Sequence, residues 1–193
     1  MDNIILIYLV AYLAGSINFA IIFFKLTGKG DPRLSFSGNA GTTNVYRQAG
    51  YFWATVILLL DIGRALAVAA LALHYLDGRY LPWGGFFLVL GNSFPCFHNF
   101  RGGKGVANYL GFTLYAEPWT AILAAIMWVA TYGLCRITFI SSFVMVLTLT
   151  LGLAYSSYWV FCAASGAGAT FFLILFNHRK NIMEYSSSNR TAK

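Results

Sequence analysis

The chain has 193 residues, of which 59% are hydrophobic and only 10% charged. A soluble domain carries roughly 25% charged residues, so the composition excludes one and describes a small all-α integral membrane protein. In such a chain the formal net charge of +7 marks a cytoplasmic face and not a nucleic-acid partner. Residues 4–24 are the first apolar run, too long for a signal peptide and without a basic start. Gly15, Ser16 and Asn18 interrupt it, so that surface either packs on another helix or faces a wet cavity. Residues 25–47 read as a loop carrying Lys25, Lys29, Arg33 and Arg47. Residues 51–75 read as the second span. It holds Asp61 and Arg64, three apart and so on one helix face. An ion pair inside a span is costly, and it marks either a tie between helices or a site.

After a short connection at 76–81, the third apolar run covers 82–97, and Pro95 ends its helix. His98 to Gly105 form a basic, glycine-rich turn. The next run, 106–115, is about ten residues, too short to cross a bilayer unless tilted or embedded; such half-helices are tolerated where they line a cavity. Runs at 118–134, 139–155 and 158–176 follow, and 177–193 is a polar tail whose Ser186, Ser187 and Ser188 read as disorder. Cys96, Cys135 and Cys162 lack metal-ligand spacing and read as free thiols. The expected architecture is a seven-span helical bundle with short or embedded helices near the glycine-rich loops. With the N-terminus outside and the C-terminus cytoplasmic, only Arg79 of the 13 Lys and Arg falls in an outside connection. Residues 1–185 are expected to form one membrane-embedded domain and 186–193 a flexible cytoplasmic tail.

Three polar segments then share the cytoplasmic side. The first is Ser37-Gly38-Asn39-Ala40-Gly41-Thr42-Thr43-Asn44-Val45-Tyr46-Arg47. Its glycines let backbone N–H groups approach a ligand, and its hydroxyls, amides and arginine suit phosphate. A flexible loop between helices explains the same stretch equally well. Residues 92–104 and 178–181 add Arg101, Lys104, Arg179 and Lys180. Each cation alone is as readily a snorkelling anchor, and His98 and His178 alone are interfacial. No clustered carboxylate, His and Cys set offers a metal site, Gly102-Gly103-Lys104-Gly105 lacks the spacing of a nucleotide-binding P-loop, and no serine-hydrolase elbow is present. The segments together look built to hold anions beside lipid.

Ser37-Gly38-Asn39-x-Gly41-x-Thr43-Asn44-Val45-x-Arg47 resembles the first signature of the PlsY family of membrane acyltransferases. Phe94-Pro95-x-Phe97-x-x-Phe100-x-Gly102-Gly103-Lys104-Gly105-Val106-Ala107 resembles the second, and His178-Arg179-x-Asn181-Ile182 the third. Tyr12-Leu13-x-Gly15-Ser16-Ile17 fits the family's opening. The resemblance runs the length of the chain in order. It implies a bacterial inner-membrane enzyme, with its active site at the cytoplasmic face, that transfers an acyl group from acyl-phosphate to the 1-hydroxyl of glycerol 3-phosphate. The products are 1-acyl-glycerol 3-phosphate and phosphate, in phospholipid synthesis. It implies no cofactor and no metal, with acyl-phosphate, glycerol 3-phosphate and membrane lipid as partners. Carried over by position, Ser37, Lys104, His178 and Asn181 are catalytic. Gly38, Asn39, Gly41, Thr42, Thr43, Asn44, Arg47, Asn92, Arg101, Gly102, Gly103 and Gly105 bind substrate. Ser37, Arg47, Lys104, His178 and Asn181 would surround glycerol 3-phosphate, and 38–44 would cradle the acyl-phosphate.

The chain departs from the family in places. Asn92 stands where the family usually has His, and an amide does not titrate near neutral pH. Asp61-x-x-Arg64-Ala65 stands for Asp-x-x-Lys-Gly, Asn18 for Pro, and Met183-Glu184-Tyr185 replaces the family's later tail. Two other classes of function therefore stay open. One is a catalytically weakened paralogue that binds lipid phosphate or a protein partner. The other is a small anion or lipid transporter.

Overall fold

A backbone inside a bilayer must satisfy its own hydrogen bonds, so apolar runs of this length become helices. The computed structural model describes residues 2–191, and among these there is no strand. The first run is two helices, α1 (Asp2–Ser16) and α2 (Phe19–Leu26). Asn18 causes the break: its Oδ1 accepts from the Ile21 N–H at 3.0 Å and caps α2, the role short amides favour at helix starts. α3 (Thr42–Tyr75) begins earlier than expected, and the end of the stretch read as a loop is its first two turns. Gly50 (φ 84°) separates those turns from the rest, which matches the expected second span. α4 (Leu81–Ser93) stops two residues before Pro95, as expected.

α5 (Val106–Ala116) is the short helix. It is embedded among its neighbours, with Tyr109 and Phe112 fully buried. α6 (Pro118–Cys135), α7 (Thr138–Ser156) and α8 (Phe161–Asn177) follow the last three apolar runs. α9 (Arg179–Thr191) continues beyond a 48° bend through the stretch expected to be a flexible tail. Ala192 and Lys193 lie outside the described residues. Every apolar run is a helix, but not every one is a full span. Among the described residues, four segments are long and apolar enough to cross a membrane: Asn3–Leu26, Thr42–Tyr75, Pro118–Cys135 and Thr138–Ser156; α8 and α9 reach that length only when counted together across their bend.

Two hydrophobic cores share α5. One joins α1, α3, α4 and α5 through Ala11, Ala65, Ala69, Leu88 and Phe112. The other joins α5 to α6, α7 and α8 through Tyr109, Ala124, Val146, Leu149 and Ile174. α1 and α4 cross backbone to backbone. A Cβ on Gly15 would overlap the Leu88 carbonyl oxygen, and one on Gly91 would overlap the Tyr12 carbonyl oxygen. Small residues permit this approach where lipid supplies no hydrophobic drive between helices. Gly91→Ala should therefore lower stability by about 1–3 kcal/mol, while Gly133→Ala, into open space, should not. Thermal unfolding in one detergent checks the pair, and equal melting temperatures would contradict the crossing.

Candidate functional site

The loop between α2 and α3 is pinned from within. The Asn44 amide nitrogen donates to the carbonyls of Pro32 (2.7 Å), Asn39 (2.9 Å) and Ser35 (3.2 Å). This folds 32–39 over the start of α3, and Gly38 (φ 64°) makes the left-handed turn that follows. The loop is also tied to the second glycine-rich turn. Arg33 Nη1 donates to the carbonyls of His98 (3.0 Å) and Arg101 (2.6 Å), while the Asp31 carboxylate grips the same guanidinium at 2.6 Å. The Arg33 hydrogen bonds hold the Asp31 carboxyl below its usual range.

The second turn folds back over the end of α4. Gly102 N–H donates to the Ser93 carbonyl at 3.1 Å and Gly103 N–H to the Asn92 carbonyl at 2.9 Å. A Cβ on Gly102 would overlap that Asn92 oxygen, and one on Gly103 would press on the Asn92 amide. Gly105 (φ 86°) then opens α5. Lys104, between these glycines, donates through Nζ to Asn181 Oδ1 on α9. Burial, with Arg47 adding and Glu184 opposing, lowers the Lys104 ammonium to a pKa of about 8. Burial also lowers His178 to about 4, and the Lys104 charge adds to this. His178 is therefore neutral at pH 7. Its Nδ1 sits 2.8 Å from the Ile174 carbonyl, so Nδ1 carries the proton and Nε2 is an acceptor.

Ser37, Asn39, Gly41, Thr42, Thr43, Arg47, Asn92, Gly103, Lys104, Gly105, His178 and Asn181 all line one cavity of about 410 Å³. Four other predicted residues do not line it. Asn44 is 1% exposed and spends its amide on the loop. Gly38 and Gly102 shape the backbone behind the wall. Arg101 is exposed and offers its carbonyl to Arg33. The cavity also holds residues the motifs did not single out: Asp61 of α3, Asn108 of α5, and Trp128, Thr138 and Ser142 of α6 and α7. Asp61 carried a signal as a charge in a span; Ser142, one hydroxyl in an apolar run, carried none. Leu58, Leu110, Val129, Phe139 and Met145 add apolar side chains to the lining. Among the described residues, no group of three His, Cys, Asp or Glu could hold a metal ion.

The cavity therefore combines cations, hydroxyls and amides with an apolar lining. That defines a helical membrane protein whose site is shaped for an anionic headgroup joined to a hydrocarbon chain. The model of the glycerol-3-phosphate acyltransferase family matches residues 5–187. A Pseudomonas fluorescens Pf-5 protein named glycerol-3-phosphate acyltransferase is 40% identical over 181 residues, covering 93% of this chain and 94% of that one. A protein of the same name from Pseudomonas syringae pv. tomato is 40% identical over 176 residues, 90% of each chain. Among solved structures, PlsY (YgiH), an integral membrane glycerol 3-phosphate acyltransferase, superposes in its glycerol 3-phosphate form with a TM-score of 0.88. The identity is 29%, over 96% of this chain and 92% of that one. Its lysophosphatidic acid form gives 0.84 at 28% identity. The chain belongs to the glycerol-3-phosphate acyltransferase family, and it is a multi-pass integral membrane protein.

The lowered Lys104 pKa predicts how anion affinity depends on pH. Only the ammonium form holds a phosphate. Below about pH 8 the free protein already carries that proton. Above it, each pH unit weakens binding by about 1.4 kcal/mol, or about tenfold in Kd. Titration of sulfate, whose charge is fixed over this range, should thus be level below about pH 7 and weaken progressively above about pH 8, and Lys104→Arg should remove the upper fall. An affinity unchanged to pH 9.5 in the native protein would contradict the assignment.

Proposed function

We propose that this cavity transfers an acyl group from acyl-phosphate to the 1-hydroxyl of glycerol 3-phosphate, releasing lysophosphatidate and phosphate for phospholipid synthesis. One observation carries the reading. Ser37, Arg47, Lys104, His178 and Asn181, drawn from three separate segments, line one cavity together with the apolar side chains of Leu58, Leu110, Val129 and Met145. In that arrangement Gly41, Thr42, Thr43 and Asn39 hold the acyl-phosphate headgroup, and the acyl chain lies along Leu110, Val129 and Met145. Ser37, Arg47, Lys104 and Asn181 hold glycerol 3-phosphate. Asn92 and Gly103 form the wall between them. His178, neutral and with Nε2 free, accepts a hydrogen bond from a substrate hydroxyl.

The reaction needs little covalent help. The acyl-phosphate is an anhydride and already activated. The 1-hydroxyl oxygen bonds to the acyl carbon, the acyl carbon–oxygen bond to phosphorus breaks, and the hydroxyl proton passes to phosphate. A phosphate monoester has its second pKa near 6, so it can take that proton without a carboxylate base. The protein's part is to bring two anions into contact and offset their charge, through positioning and preorganised donors.

The charge pattern supports the finer architecture. With seven membrane-crossing or membrane-embedded segments and the N-terminus outside, the two glycine-rich turns and the α8–α9 bend lie together on the cytoplasmic side of a bacterial inner membrane. Residues 1–185 act as the single catalytic domain. Inside α9, the segment from 186 onward lies beyond the last residue assigned to the site.

The test uses purified protein, acyl-phosphate and labelled glycerol 3-phosphate, without coenzyme A or metal. The native protein should form lysophosphatidate. Ser37→Ala and Lys104→Met should each lower kcat/KM at least 100-fold, a loss of about 2.7 kcal/mol, with unfolding temperatures within a few degrees of native. Binding of glycerol 3-phosphate without turnover, or full activity in both variants, would refute the assignment.

A further inference from the structure

Arg64 is a buried cation with four hydrogen-bond partners, and none of the three site motifs includes it. Its side chain is 7% exposed. Nη2 donates to Asp61 Oδ1 at 2.8 Å and to Asn108 Oδ1 at 2.5 Å. Nη1 donates to the carbonyls of Gly15 (3.4 Å), in the last turn of α1, and Ile17, in the break between α1 and α2. The guanidinium also lies over the Phe19 ring, 5.1 Å from its centre. A guanidinium only donates. The oxygen of the Asn108 amide must therefore face Arg64, and its NH₂ group must face away.

Asn108 is 1% exposed and lines the cavity, one helical turn beyond Lys104. Its Nδ2 has no hydrogen-bond partner among the described residues and is not among their buried orphaned atoms. Asn108 lines the cavity, and an NH₂ that is turned from Arg64 and is not a buried orphan is placed to face it. We propose that Asn108 is a further substrate-binding donor, aimed by Arg64 at a phosphoryl oxygen. Arg64 is its positioning residue and touches no substrate. The same guanidinium neutralises Asp61, which also lines the cavity and would otherwise repel the anion. The ammonium of the family's lysine is a single charged point without the planar fork, so an arginine here can hold Asp61, Asn108 and the α1–α2 break at once.

This inference rests on the acyl-transfer reading, and the experiment separates the two. Native protein, Asn108→Ala, Arg64→Lys and the double variant are assayed with acyl-phosphate and glycerol 3-phosphate each varied in turn. Each single variant should raise the KM of one phosphorylated substrate about tenfold, the same substrate in both cases, which names the phosphoryl group that Asn108 holds. The double variant should be no worse than the singles, because Arg64 acts through Asn108; independent losses would multiply. Arg64→Lys keeps a cation for Asp61, and a melting curve separates misfolding from misplacement. If Arg64→Lys does not fold, Asn108→Ala alone decides through its KM. An active native protein with an unchanged KM in Asn108→Ala overturns this inference and leaves the acyl-transfer reading standing. An inactive native protein overturns the acyl-transfer reading itself.

Discussion

The site hangs on two backbone hydrogen bonds, from Gly102 to the Ser93 carbonyl and from Gly103 to the Asn92 carbonyl. The last carbonyls of any helix lack intrahelical donors, and at the end of α4 Asn92 and Ser93 are buried. Pro95 keeps α4 from continuing, so the chain must return to satisfy it. Only glycine fits so close to the α4 backbone. The loop that answers this need leaves Lys104 between two glycines at the mouth of α5. A packing requirement thus puts a cation where an anion can be held.

The electrostatics follow from the same arrangement. Lys104, Arg47 and the neutral donors around them face a cavity in which Asp61 is the one lining carboxylate among the described residues. Arg64 sits on that carboxylate. Burial lowers the Lys104 pKa to about 8, which measures the cost of a desolvated ammonium before an anion arrives. A bound phosphate removes that cost, so the free site favours binding. His178 meets the opposite fate: burial and Lys104 keep it neutral. Neutral, it presents an acceptor nitrogen to the cavity and not another cation.

Much of this was legible in the residues. Pro95 marks the end of α4, and the short run after Gly105 is an embedded half-helix because ten or so residues cannot span. The three polar motifs name most of the cavity wall. Other features depend on tertiary contact. Residues 42–49 look like loop because they are small and polar, yet Gly41 leads directly into α3 and Gly50 lets it bend. Asn44 reads as a ligand by motif, but its amide is consumed by three loop carbonyls. Arg33 reads as one more surface charge, yet it ties the two glycine-rich turns together. Ser142 and Asn108 are single polar residues whose place in the wall appears only once α5 and α7 are packed.

The central claim is direct transfer between two anions held together in one cavity, with Ser37 as a binding hydroxyl and not a nucleophile. Initial-rate kinetics with both substrates varied test it most directly. Double-reciprocal plots against glycerol 3-phosphate at several acyl-phosphate concentrations should intersect, the pattern of a ternary complex. Parallel lines, with an acylated enzyme isolated in the absence of glycerol 3-phosphate, would contradict the account.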